Sequence, residues 1–397
     1  MQKPNAFLEP NTDFSLVQGG PLFQMLVRTH LSQESMGLLR RRIVFFFAIV
    51  WVPLLVLTLL SGQAIGGAVM PFLYDLGAQA RFLLAVPLLL AAEVIVHRRL
   101  KVTVRSFLDQ GLVAPEDKPK FEQLVSSALG LRNSVIAEVL MIALAFASGH
   151  WIDDRYLTTK VATWFTTPVG DQLQLNAAGY WYLYVSLVVF RFLMLRWYFR
   201  LLIWWRLLWQ ISRRITLRLN ALHPDQAGGL GFLSVSAHAF MLVLLAHSVS
   251  ISGTLAGKIM YQGSTLHEYQ LEILAWVLYL MILVLTPLCF FVVQLTQARW
   301  PQMFEYSLVA SDYARDFRRK WIEGPAPKDE ALLGSADIQS LADLSNSFSV
   351  AKGMGVVPFN RSLAIQLAIV IALPFAPLVL TMISLEQLVD RAIGLFV

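Results

Sequence analysis

Residues 180–218 read YWYLYVSLVVFRFLMLRWYFRLLIWWRLLWQISRRITLR. From Tyr180 past Leu208 the stretch is apolar and aromatic, yet it carries Arg191, Arg196, Arg200 and Arg206. At about 1.5 Å per residue it would be close to 60 Å long as a helix, roughly twice the hydrocarbon thickness of a bilayer. It therefore reads as a helix that crosses a membrane and then bends or runs along the inner face. Trp197, Trp204, Trp205 and Trp209 interleave with the arginines. Their amphipathic rings, snorkelling guanidiniums and cation–π contacts suit the headgroup belt. A voltage sensor would place arginine at about every third position; the spacings here are 5, 4 and 6.

The whole chain agrees with that stretch. It has 397 residues, of which 56% are hydrophobic and 15% charged, against roughly 25% charged in a soluble protein. The mean hydropathy is +0.59. A soluble enzyme, a disordered chain and a disulfide scaffold are excluded. Cys289 is the one cysteine, so no intrachain disulfide and no multi-cysteine zinc site can form. No metal site, cofactor or catalytic set is expected. The net charge of +6 reads as basic residues beside anionic lipid and not as a nucleic-acid surface.

The expected fold is all-α: a polytopic bundle of about seven spans at 43–60, 82–97, 134–149, 179–200, 235–256, 272–295 and 363–386, with amphipathic helices at the inner surface. A cytoplasmic segment 1–42 precedes spans 1–6 (43–295), whose inner loops are 98–133 and 201–234. A cytoplasmic helical segment 296–362 leads to the last span and a short outer tail (363–397). Arg40, Arg41 and Arg42 put the N-terminus inside, and alternation then places 27 of the 32 lysines and arginines on that side, as the positive-inside rule requires. Three inner stretches have helical stripes: 14–31; 302–321 through Phe304, Leu308, Phe317 and Trp321; and 335–354 through Ile338, Leu341, Leu344 and Phe348, with Ser335 as N-cap.

Ionisable residues inside a membrane are costly and find partners or line a wet cavity. Counting rise from the span ends puts Glu93, Arg191 and His247 about 16–18 Å deep, near the midplane. Glu138, Arg196, His97 and His238 form a shallower inner tier. Two pairs are expected, Glu93–Arg191 and Glu138–Arg196, with His247 near the first. Pro53, Pro87, Pro287, Pro374 and Pro377 interrupt spans, where freed carbonyls need other donors.

The most distinctive loop is HPDQAGGLGFL at 223–233. Pro224 ends the preceding helix, while Gly228, Gly229 and Gly231 permit close backbone approach. Its spacing is neither that of a P-loop nor of a dinucleotide fingerprint. His223 and Asp225 supply too few ligands for a metal. A tight re-entry turn is the simplest reading. This loop, followed by a small-residue helix, and the later DIQSLADL at 337–344 with Val357-Pro358-Phe359, resembles a group of bacterial polytopic membrane proteins without an assigned activity. The resemblance implies a multi-pass protein of the bacterial inner membrane and says nothing of mechanism.

The functional expectation is a channel or transporter for a small ion or solute, through a polar path at Glu93, Arg191 and His247. The alternative is a membrane sensor or scaffold working through its cytoplasmic helices. A lipid-modifying enzyme using His223 and Asp225 ranks third. The expected partners are the lipid bilayer and another membrane protein or a second copy of the chain.

Overall fold

A computed structural model describes residues 14–21, 24, 38–157, 163–169, 172–324, 331–332 and 334–382. It is 79% helical. Ten helices carry the fold: α1 (Leu39–Leu60), α2 (Leu76–Asp109), α3 (Lys118–Arg132), α4 (Val135–Leu157), α5 (Ala177–Arg214), α6 (Gly231–Gln262), α7 (Leu266–Cys289), α8 (Val292–Arg318), α9 (Ala336–Gly353) and α10 (Arg361–Val379). A short hairpin, β1 (Thr166–Val169) with β2 (Gln172–Leu175), precedes α5. Among the described residues six helices are long and apolar enough to cross a membrane: α1, α2, α5, α6, α7 and α10. A seventh crossing is counted if α3 and the first part of α4, bent by 43° at Asn133–Ser134, act as one broken span.

Several helices outrun the expected spans. The second starts at Leu76, not Phe82, and runs on through Arg98, Arg99 and Lys101 to Asp109. The fifth helix continues to Arg214 without leaving helical geometry. Parts of 98–133 and 201–234 are therefore helical extensions and not loops. The extensions of α2 and α5, the start of α1, the loop 215–230 and the α8–α9 hairpin share one end of the bundle, the basic end. The last residues expected in span 7, 383–386, lie outside the described residues.

Central positions belong to α2 and α5. The α2 helix packs against α1, α5 and α6, while α5 also meets α3, α4 and α7. Contact between α2 and α6 is close because Gly253 faces Ala80: a Cβ there would strike Ala80 Cβ and come within 2.8 Å of the Leu76 carbonyl. Small residues allow this approach between membrane helices.

Tryptophans of α5 answer the proline problem. Pro53 cannot bond the carbonyl of Ile49, four residues back; Trp181 Nε1 donates to it at 3.0 Å. Pro287 likewise frees Leu283, and Trp205 Nε1 donates there at 2.9 Å. Trp197 Nε1 donates to the Leu89 carbonyl at 3.2 Å. The headgroup belt expected for these rings is thus corrected for Trp197 and Trp204, both 1% exposed; Trp209 is 47% exposed. They are buried because α5 sits among α1, α2, α3, α4 and α7.

The expected surface helix at 14–31 is also corrected in its first part. Residues 14–20 are not helical, and Phe14, Ser15, Leu16 and Val17 are buried. Ser15 Oγ accepts from the Val17 and Gln18 amides at 3.1 and 3.0 Å. That turn and two glycines suit an inserted segment better than a helix. Residues 22–23 and 25–31 lie outside the described residues.

Candidate functional site

The buried charge gathers on α2. Glu93, 3% exposed at its side chain, accepts hydrogen bonds from three guanidiniums. Arg42 of α1 binds Oε2. Arg196 and Arg200 of α5 bind Oε1 at 3.3 and 2.8 Å. Arg196 Nε also lies 3.9 Å from Glu138 Oε1 on α4, and Arg200 stacks over Trp197 at 4.7 Å.

Helical geometry explains the membership. Arg196 and Arg200 are four residues apart, about 40° around the helix, and share a face. Arg191 is five residues before Arg196, about 140° away, and faces elsewhere. The expected Glu93–Arg191 pair is therefore wrong. Glu93 shares the level of Arg196 and Arg200, which bond to it, and not that of Arg191. Arg42 was read as flanking charge, but it is 1% exposed and shares a stripe with Phe46, Val50, Leu54 and Thr58. That spacing of four was a signal in the sequence.

Residues 14–20 close the cluster from the basic end. The Ser15 carbonyl accepts from Arg132 Nη1 at 2.5 Å, and Ser15 Oγ sits 2.8 Å from His97 Nδ1. The Gly20 amide donates to Asn133 Oδ1 at 3.0 Å. Gly20 has φ +85°, and a Cβ would lie 2.8 Å from Glu138 Oε1, so any other residue is strained there. Beneath this segment is a recess lined by Leu16, Gly19, Arg132, Glu138, Arg196 and Arg200.

His247 is not part of the cluster. Its Nδ1 is 2.7 Å from the Val243 carbonyl and its ring meets Tyr198 edge-on at 5.1 Å. His247 Nε2 and Ser248 Oγ are buried without a hydrogen-bond partner among the described residues. His238 bridges the Ser234 carbonyl and Gln366 at 2.9 and 3.0 Å, tying α6 to α10. At the opposite end of the bundle, Arg81 donates to Tyr182 and Thr254 at 2.6 and 3.1 Å. Asp75 accepts there from Trp164 Nε1 at 3.0 Å, within a packed aromatic group of Phe72, Trp164, Phe165 and Tyr182.

The glycine-rich loop is built around Asp225. Its Oδ1 accepts from the Ala227 and Gly229 amides at 2.8 and 3.1 Å, and Oδ2 from Gly231 at 2.7 Å. His223 Nδ1 is 2.8 Å from Oδ1. Burial pushes the Asp225 carboxyl up, but the three amides and the imidazole outweigh it and hold it below the usual value. Gly228, φ +65°, abuts Met354: a Cβ would lie 2.7 Å from the methionine methyl. The Gly355 amide donates to the Gln226 carbonyl at 2.7 Å. Both carboxylate oxygens are engaged by the fold, and the loop docks the end of α9.

The α8–α9 hairpin is closed by Asp337, which accepts from Lys320 Nζ and Trp321 Nε1 at 2.7 and 2.9 Å. These two bonds hold its carboxyl below the ordinary range. Phe317 and Trp321 are half-buried, as are Leu341, Leu344 and Phe348. Phe304, Leu308 and Ile338 are exposed. Ser335 is the N-cap residue but its side chain makes no cap bond. Among the described residues no three histidine, cysteine or acidic side chains converge as a metal group. Comparison with family models, with curated proteins and with solved structures finds no match to this chain.

Proposed function

We propose that the chain is a seven-span protein of the bacterial inner membrane, N-terminus in the cytoplasm, that passes a small ion or solute through the interior of its bundle. The observation that carries this reading is the convergence of Arg42, Glu93, Glu138, Arg196 and Arg200 from four helices, all buried. Holding ions in that setting costs several kcal/mol each in desolvation, roughly. Intramembrane charges of this kind mark ion and solute pathways. The path proposed from the structure runs through Arg42, Arg196 and Arg200 and not through Arg191. His247 Nε2 and Ser248 Oγ, buried and unpartnered, supply a further polar station on α6. The segment 14–20 at one end and the aromatic group at the other make this an occluded form. Orientation rests on the clustering of basic residues at one end.

Flux of small ions into proteoliposomes tests the reading, with Glu93→Gln and Arg200→Gln as variants. Flux lowered in both supports it; flux unchanged in both removes the path. A sensor or scaffold role is favoured by one observation, the exposed row Trp300, Phe304 and Leu308 on α8 (56%, 63% and 50%). Loss of a co-purifying partner on replacing these three by serine would support that role.

A further inference from the structure

The ionic cluster is not balanced. Among the described residues, Arg42, Arg132, Arg196 and Arg200 face two carboxylates, Glu93 and Glu138. Glu93 spreads one negative charge over three guanidiniums. Donors are in larger surplus still. Each guanidinium offers five N–H groups. Arg196 uses Nη1 on Glu93 and Nε toward Glu138; Arg200 uses Nη2 on Glu93. Arg132 uses Nη1 and Nε on Ser15 and Asn133. Arg196 Nη2 and Arg200 Nη1 make no hydrogen bond among the described residues. Arg132, Arg196 and Arg200 all line the recess under residues 14–20, and Arg196 and Arg200 are 6% and 3% exposed. A structural ion pair needs matched charge and matched donors. This site has an excess of both on the cationic side, which an anion would correct.

The space sets the class of anion. The recess is small, and beside the three arginines it is lined by the Glu138 carboxylate, by Leu16, Met141 and Phe199, and by Gly19. Its small size and the Glu138 carboxylate in its wall suit a compact single charge better than a multiply charged tetrahedral phosphate or sulfate. We propose that the recess between Arg132, Arg196 and Arg200 binds a compact monoanion of halide size. The site deepens the transport reading by naming the ion, but its occupancy can be measured without transport.

The test uses the full-length protein in detergent micelles and chloride-35 line broadening, with bromide, sulfate and phosphate as competitors. Saturable broadening reversed by bromide is expected, with sulfate and phosphate ineffective at equal ionic strength. Arg132 sits at the rim and is half-buried, so losing its bonds to Ser15 and Asn133 should lower the thermal transition by only a few degrees, roughly, and leave Arg132→Gln folded. That variant should bind chloride at least about tenfold more weakly, as expected for one lost charge-assisted contact. Arg200→Lys, which keeps the charge, should lose less than Arg200→Gln. Broadening that does not saturate, equal binding in folded Arg132→Gln, or stronger competition by phosphate than by bromide would overturn the proposal. Arginine-dependent chloride binding without any flux supports the site and overturns the transport reading. Flux with no such binding supports transport and overturns the site.

Discussion

Replacing Glu93 by glutamine removes the one carboxylate shared by Arg42, Arg196 and Arg200. The side chain is 3% exposed, so water does not take over its work. Breaking a buried ion pair costs about 3–5 kcal/mol, because the partner charge is left uncompensated. Three partners are left here, but the glutamine carbonyl keeps one acceptor, so the lower half of that range is expected. Set against a total stability of about 5–15 kcal/mol, the loss should lower the melting temperature by several degrees. Arg200→Gln should cost less, since Glu93 would still hold two guanidiniums. The double variant Glu93→Gln with Arg200→Gln should then be more stable than Glu93→Gln alone, because one surplus cation leaves with the anion. The coupling should be about 1–3 kcal/mol. Thermal and SDS unfolding of the purified protein, read by tryptophan fluorescence, give all three values. A melting temperature for Glu93→Gln within about 1 °C of wild type, or strictly additive effects in the double variant, would refute the charge-surplus account.

The Trp205–Leu283 bond should matter only because Pro287 frees that carbonyl: Trp205→Phe should cost about 0.6–1.7 kcal/mol, and much less in a Pro287→Ala background, as a double-mutant cycle in unfolding would read. Asp225→Ala should cost about 1–3 kcal/mol, since three amides lose their acceptor, and should speed proteolysis at residues 223–231. Because the folded Asp225 carboxyl sits below its ordinary value of 3.8, its contribution is present above that pH and is lost as pH falls through the lower, folded value. The gap between wild type and Asp225→Asn should therefore close below about pH 3.8 in melts across pH 6 to 3. Gly228→Ala should destabilise by about 1 kcal/mol or more through positive φ and the Met354 methyl, whereas Gly130→Ala, where a Cβ meets nothing within 4 Å in α3, should stabilise by about 0.5–1 kcal/mol. In a Cys289→Ser background, cysteine at exposed Gln262 should react with an impermeant reagent added outside cells, and cysteine at exposed Ser345 only after lysis.

The class of fold was legible because membrane insertion is written in composition and in runs of apolar residues, both local properties. Helix ends were less legible. The continuation of α2 to Asp109 carries Arg98, Arg99 and Lys101, which lower the hydropathy without ending a helix, since lysine and arginine are good helix formers. Trp197 and Trp204 were assigned to a lipid belt because a tryptophan's neighbours depend on which helices surround it. Helix order around a bundle is a tertiary fact with no local signature. The loop at 223–233 was easier, because proline and glycine act through the backbone. Its internal acceptor, Asp225, was in the motif from the start.

The ionic site shows where depth counting stops working. Distance from a span end gives height alone, and its error is the error in the end itself. Moving the start of α2 from Phe82 to Leu76 leaves Glu93 on the same helix but changes which residues share its level. Angular position is more robust, because a shift of the helix start does not alter the angle between two residues on one helix. Applied to α5, it separates Arg191 from Arg196 and Arg200. Applied to α1, it groups Arg42 with Phe46, Val50 and Leu54 on the buried face. Two arginines on one face of α5 and one on the buried face of α1 must find acidic groups or leave charge uncompensated. Among the described residues the acids within reach are Glu93 and Glu138, fewer than the cations. That deficit, and not the presence of charge in the bundle, would distinguish an anion site from a pair that fastens two helices.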